Sequence, residues 1–138
     1  MNSIRRAMCI GMAAAAAWAA EPVQLAGRIV SKEGVQNARQ WTIEVRNGGS
    51  ERVREARIGG VHFTQTSGGG GEACAPTIRK PAAFPLGLGD IPAGGTARAS
   101  LTIDFTGCAN QAQFTVEMRF SGNGGMARGT LRRSNDYR

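Results

Sequence analysis

Four stretches of this chain alternate apolar and polar residues with a period of two, and that pattern belongs to half-buried β-strands. Residues 40–46 are the clearest: Trp41, Ile43 and Val45 point one way, and Thr42, Glu44 and Arg46 the other. Residues 96–105 gather Ala97, Ala99, Leu101, Ile103 and Phe105 on one face. Residues 113–120 do the same with Phe114, Val116, Met118 and Phe120. Residues 53–63 break phase at Gly59-Gly60, which predicts a bulge or a bend. Residues 23–30 and 126–132 supply a first and a last strand, the first weakened by Gly27. Asn47-Gly48-Gly49-Ser50 and Ser121-Gly122-Asn123-Gly124-Gly125 read as turns. No strong amphipathic helix and no internal repeat follows residue 20. Short strands between glycine-rich turns predict an all-β, two-layer sandwich with Trp41 in its core. The polar tail, 133–138, is expected to fray.

The first twenty residues follow other rules. Arg5 and Arg6 are followed by an uncharged, alanine-rich run over 7–20, and Ala17-Trp18-Ala19 fits the small-x-small pattern of a signal-peptidase site. The apolar run is shorter than the roughly 20 residues that span a bilayer. A signal peptide over 1–19 and one domain over 20–138 are expected, with no transmembrane span left after cleavage. The chain has 138 residues and a formal net charge of +7. Loss of Arg5 and Arg6 leaves the domain basic, its positive residues nearly all arginine, with Lys32 and Lys80 the exceptions. Such a domain suits an anionic lipid, polysaccharide or other acidic surface, or it is a solvated sheet face kept soluble by charge.

Cys9 leaves with the signal, so Cys74 and Cys108 remain as an even pair in an oxidising compartment, where a disulfide is the default. It closes a loop of about 35 residues, worth roughly 4 kcal/mol by chain entropy. A metal site is the competing reading, but His62 is the only histidine and neither cysteine has CxxC spacing. Residues 64–85, with Gly68 to Gly71 and then Pro76, Pro81 and Pro85, read as one long loop. Loops of that length are functional or disordered, so this one is both a candidate contact surface and a candidate spacer.

The turns carry a resemblance. Asn47-Gly48-Gly49-Ser50 after an alternating strand resembles the Asn-x-Gly-x turn of bacterial extracellular immunoglobulin-like domains. Leu86-Gly87-Leu88-Gly89-Asp90-Ile91-Pro92-Ala93-Gly94-Gly95-Thr96 is similar to their segment leading into the next strand. Phe120-Ser121-Gly122-Asn123-Gly124-Gly125 with Gly129-Thr130-Leu131-Arg132 resembles their closing hairpin. The likeness covers about residues 36–133. It implies an immunoglobulin-like two-sheet β-sandwich behind a signal-peptide helix, of the cell-surface or adhesion-like kind, here standing alone. These are turn motifs, so they imply a backbone shape and no chemistry.

No catalytic pattern accompanies that fold. His62 alternates with Val61 and Phe63 inside a strand, on its outer face, and has no Gly-x-Ser-x-Gly elbow. Glu51/Glu55 and Asp90/Asp104 form no recognisable carboxylate pair. Gly68 to Gly71 lacks the lysine and hydroxyl of a phosphate loop, and Gly87-x-Gly89 lacks a third glycine. The constellation that stands out is arginine: Arg46, Arg52, Arg54 and Arg57, with Arg119 and Arg128 near the last hairpin, extended by Arg132 and Arg133. Guanidinium forks suit carboxylate, sulfate and phosphate, although Glu44, Glu51, Glu55 and Glu117 are interleaved as potential cross-strand partners. Nucleic acid would need stacking aromatics, and only Trp41, Phe84 and Tyr137 are candidates. The sequence therefore predicts a non-enzymatic, exported binding module without cofactor or metal, periplasmic or secreted. Its partner is another envelope or extracellular protein, or an anionic component such as a polyanion or carbohydrate held on arginine-bearing strand faces.

Overall fold

The computed structural model describes residues 23–138. Among them are eight β-strands, one short 3-10 turn and no α-helix. The strands are β1 (Val23–Val35), β2 (Ala38–Asn47), β3 (Val53–Ser67), β4 (Thr77–Lys80), β5 (Leu86–Ile91), β6 (Thr96–Asp104), β7 (Gln113–Gly122) and β8 (Ala127–Asp136). The expected signal peptide over 1–19 and its helix lie outside the described residues.

The strand order β4-β6-β2-β1-β8-β7-β3-β5 is continuous but folds over at β1. Leu25 to Val35 pair antiparallel with β2, whereas Val23 and Gln24 pair in parallel with Ala127 and Arg128 of β8. One half is β1-β2-β6-β4, and the other is β8-β7-β3-β5. Their inner faces meet in a single core: Trp41, Ile43, Val45, Leu101 and Ile103 from one half, Ile58, Val116, Met118 and Phe120 from the other. Every one of those residues comes from an alternating stretch, so burial of one strand face accounts for the two-layer arrangement. At one end the core becomes aromatic, where Phe63 and Phe114 of one layer pack edge-on or tilted against Trp41 and Phe105 of the other.

The anticipated bulge is present: the pairing of β3 with β7 shifts between Ile58 and Gly60. The single long loop over 64–85 is not. Thr64 to Ser67 continue β3, and Thr77–Lys80 forms β4 against β6. Both were hidden for the same reason. This end of β3 is polar on both faces, and β4 has a lone apolar residue, Ile78, so neither shows a period. The chain then crosses to the other layer through residues 81–85, with cis peptide bonds at Lys80-Pro81 and Phe84-Pro85, to add β5 beside β3.

The tail also departs from expectation. β8 runs to Asp136, and Tyr137 beyond it is fully buried. An isolated aromatic in a polar segment has no periodic neighbours to announce it. Another buried anchor is Asn47, the only buried polar residue among those described. Its Nδ2 donates to the carbonyls of Glu51 at 2.7 Å, Ile91 at 3.1 Å and Pro92 at 3.3 Å. Its Oδ1 accepts from Gly49 N–H at 2.9 Å. One amide thus ties the β2–β3 turn to the β5–β6 turn, and its polar atoms are satisfied as burial requires.

Candidate functional site

The two layers differ in how the arginines of their outer faces are partnered. On β1-β2-β6-β4 Arg28, Arg98 and Arg79 are matched to carboxylates, whereas Arg39 and Arg46 have none within bonding range among the described residues. Glu44 accepts from Arg28 at 2.8 Å and from Arg98 at 3.0 Å, and Arg79 bonds Asp104 at 3.0 Å. These donors hold the Glu44 carboxyl below its ordinary value. The Thr106 hydroxyl and then the Arg79 guanidinium bring Asp104 down to about 2.

The outer face of β3, β7 and β8 is different. Strand register places Arg57, Ser121 and Arg128 side by side in one row. The next row holds Gly60, Arg119 and Thr130, and the one after it His62, Glu117 and Arg132. Arg132 approaches Glu117 at 3.7 Å, and Arg57 Nε donates to Ser121 Oγ at 3.3 Å. Among the described residues no carboxylate lies within bonding range of Arg57, Arg119 or Arg128. This face therefore keeps uncompensated positive charge.

A groove of about 750 Å³ is cut into it. Its floor includes Gly59 and Gly60 at the β3 bulge, and a Cβ at Gly60 would meet no atom within 4 Å. Arg119 and Arg128 line it, with the hydroxyls of Ser121 and Thr130 beside them. Phe84, half-buried, forms an apolar wall from the β4–β5 crossing, and His62 and Glu117 lie further along. The glycines that distort β3 thus also leave bare backbone where side chains would otherwise fill the surface.

The arginines singled out from the sequence do not form one patch. Arg57, Arg119 and Arg128 come together on the grooved face. Arg46 is on β2, in the opposite layer, paired in register with Ala26 and Thr96. Arg52 precedes β3. Arg54 is at the end of β3, where its N–H donates to Asn123 Oδ1 at 2.7 Å. The interleaved glutamates bond other partners than these six: Glu44 takes Arg28 and Arg98, and Glu117 takes Arg132.

His62 is exposed on the outer face, as its alternation implied, and the hydrogen bonds of the described residues include none from its ring. Of the three aromatics considered for stacking, Trp41 and Tyr137 are fully buried, and only Phe84 reaches the groove. Gln24, Ser121 and Thr130 joined the site only through cross-strand register, a signal that local sequence does not carry. Cys74 and Cys108 are disulfide-bonded. The bridge links the β3–β4 and β6–β7 connections, and neither cysteine lines the groove. Within 64–85 only Phe84 does. Among the described residues no three His, Cys, Asp or Glu gather as metal ligands, and no helix is long and apolar enough to cross a membrane.

No family model matches this chain, and no curated protein matches it. Solved structures with similar backbones include a FixG-related protein from Vibrio parahaemolyticus, at 7% identity and a TM-score of 0.44, over 81% of this chain and 94% of that one. A PapD-like domain of human CEP192 is 12% identical with a TM-score of 0.38, covering 82% of each chain. The carbohydrate-binding module CBM3b of cellobiohydrolase 9A from Clostridium thermocellum is 13% identical with a TM-score of 0.35, over 73% and 92%. Likenesses this distant say nothing of what the chain does.

Proposed function

We propose that this chain is a non-enzymatic binding module of the bacterial periplasm or cell envelope, built as an immunoglobulin-like sandwich and exported by its N-terminal segment. It holds another envelope component against the outer face of β3, β7 and β8. The observation that carries this reading is that Arg119 and Arg128 line the groove with Arg57 beside it, and none of the three has an acidic partner among the described residues. Unmatched charge lining a concave, glycine-floored surface suits recognition of an anionic partner. The Cys74–Cys108 bridge suits an oxidising compartment.

Gly60→Trp tests the reading, because it fills the groove from a position with open space above it. Wild-type protein should capture the same envelope component reproducibly, and the variant should lose it while keeping its melting temperature. Equal capture by both, or none by either, would overturn the assignment. Export has its own check: intact mass from the native host should lack residues 1–19.

A further inference from the structure

Three arginines on neighbouring strands define what fits this face. Adjacent strands lie about 4.8 Å apart, and residues two apart along a strand about 6.8 Å. Arg57 and Arg128 flank Ser121 in one row, and Arg119 stands in the next row on the middle strand. Their Cα atoms are therefore roughly 8–10 Å apart; Arg119 and Arg128 line the groove and Arg57 lies beside it, a spacing that suits one anion or two anions one residue apart in a chain. Arginine offers each anion a planar pair of N–H donors.

The remaining lining mixes apolar surface, including Val61 and Phe120, with polar groups. The Ser121 and Thr130 hydroxyls and the Gln24 amide both donate and accept, and Glu117 accepts. Phe84 adds one apolar wall, and Gly59 and Gly60 leave the floor bare. The volume of about 750 Å³ is within the range of small-ligand sites, about 300–1,000 Å³. That combination matches a ring with one apolar face, many hydroxyls and an anionic substituent.

Other anionic partners fit less well. A peptide strand adds to a free sheet edge, and although β3 has no β5 partner beyond Ile58, Arg119 and Arg128 stand on stretches of β7 and β8 that are paired on both sides. Single-stranded nucleic acid needs successive stacking aromatics, and the groove has Phe84 and, beneath it in the core, the buried Phe120. A membrane surface calls for exposed apolar side chains to insert. Among the described residues the exposed large hydrophobics are Val35 and Met126, and neither lines the groove.

We propose that the groove holds an acidic polysaccharide, its sugar rings over Gly59-Gly60 and against Phe84, its carboxylate or sulfate groups on Arg119 and Arg128 with Arg57 alongside. The inference rests on the reading of this chain as a binding module and names the ligand class of that same face.

The test titrates the purified protein with polygalacturonate and dextran sulfate, and with methyl-esterified polygalacturonate and dextran as their neutral counterparts. At least one acidic polymer should bind about tenfold or more tightly than its neutral form, and its affinity should fall as salt shortens the range of the charges. Arg119→Ala/Arg128→Ala should lose about tenfold at unchanged melting temperature, whereas Arg98→Ala on the opposite face should bind like wild type. Which acidic polymer binds identifies the anion. Equal binding of neutral and acidic forms, an unchanged affinity in the double variant, or binding only of polyglutamate or phosphatidylglycerol vesicles would overturn the inference. Should no glycan bind while Gly60→Trp still abolishes capture of an envelope protein, the glycan assignment falls and the binding-module reading stands. Should Gly60→Trp change nothing either, both fall.

Discussion

Tyr137 stacks on Phe105, with ring centroids 4.4 Å apart and 15° between the planes. Its carbonyl accepts from Trp41 Nε1–H at 3.2 Å, and its hydroxyl donates to the Cys108 carbonyl at 3.4 Å. The end of β8 is thereby fixed to the opposite layer and to the disulfide-bearing connection. Tyr137→Ala should cost about 3–5 kcal/mol in urea unfolding, the usual loss for a buried aromatic. Tyr137→Phe should cost under about 1 kcal/mol, because only a long hydrogen bond is removed. Equal losses would mean that the hydroxyl, and not the stacked ring, anchors the tail.

Asn47 should be nearly as sensitive despite its polarity. Asn47→Ala leaves the carbonyls of Ile91 and Pro92 without their amide partner, and a loss of about 2–4 kcal/mol is expected. Asn47→Asp should be at least as harmful at neutral pH, since a carboxylate would face three carbonyl oxygens. A melting temperature within a degree of wild type for either variant would remove Asn47 as the link between the two turns.

The disulfide joins residues 34 apart in sequence. Its removal in Cys74→Ser/Cys108→Ser should lower stability by roughly 4 kcal/mol if restriction of the unfolded chain dominates. Binding on the β3-β7-β8 face should persist at temperatures where the variant remains folded, because neither cysteine lines the groove.

Glycines divide sharply by position. A Cβ at Gly129 would overlap the Leu25 carbonyl oxygen, at the seam where β1 meets β8. Gly129→Ala should therefore cost at least about 2 kcal/mol through forced backbone movement. Gly60→Ala meets nothing and should stay within about 0.5 kcal/mol of wild type. Chemical denaturation of the two variants side by side measures the difference, and equal stability would exclude the close approach of β1 to β8 at Gly129.

Acid should weaken the fold over a defined range. Asp104 titrates from an ordinary 3.8 down to about 2 in the folded protein, held there by Thr106 and Arg79. Glu44 is lowered in the same direction by Arg28 and Arg98. Folding disfavours protonation of both, so their contribution is complete above the ordinary carboxylate range and is lost as pH falls toward about 2. Melting temperature should drop between pH 5 and pH 2, and Asp104→Asn should flatten that drop. A profile with the same slope in the variant would exclude Asp104 as a source.

Local sequence carried the strand faces because burial of one side of a strand requires a period of two, and that requirement is visible residue by residue in Trp41-Ile43-Val45 and Phe114-Val116-Met118. It also carried the turns, the bulge at Gly59-Gly60 and the pairing of Cys74 with Cys108, since each depends on backbone freedom or on the number of cysteines. Tertiary structure alone decided which arginines share a face. Arg46 and Arg57 are separated by one turn in sequence yet belong to opposite layers, while Arg57 and Arg128 meet across β7. Cross-strand register brings such residues together, and it is fixed by the packing of all strands at once. Tyr137 and β4 were invisible for the complementary reason: each is held by contacts with distant elements, and a single apolar side chain in a polar segment leaves no periodic trace.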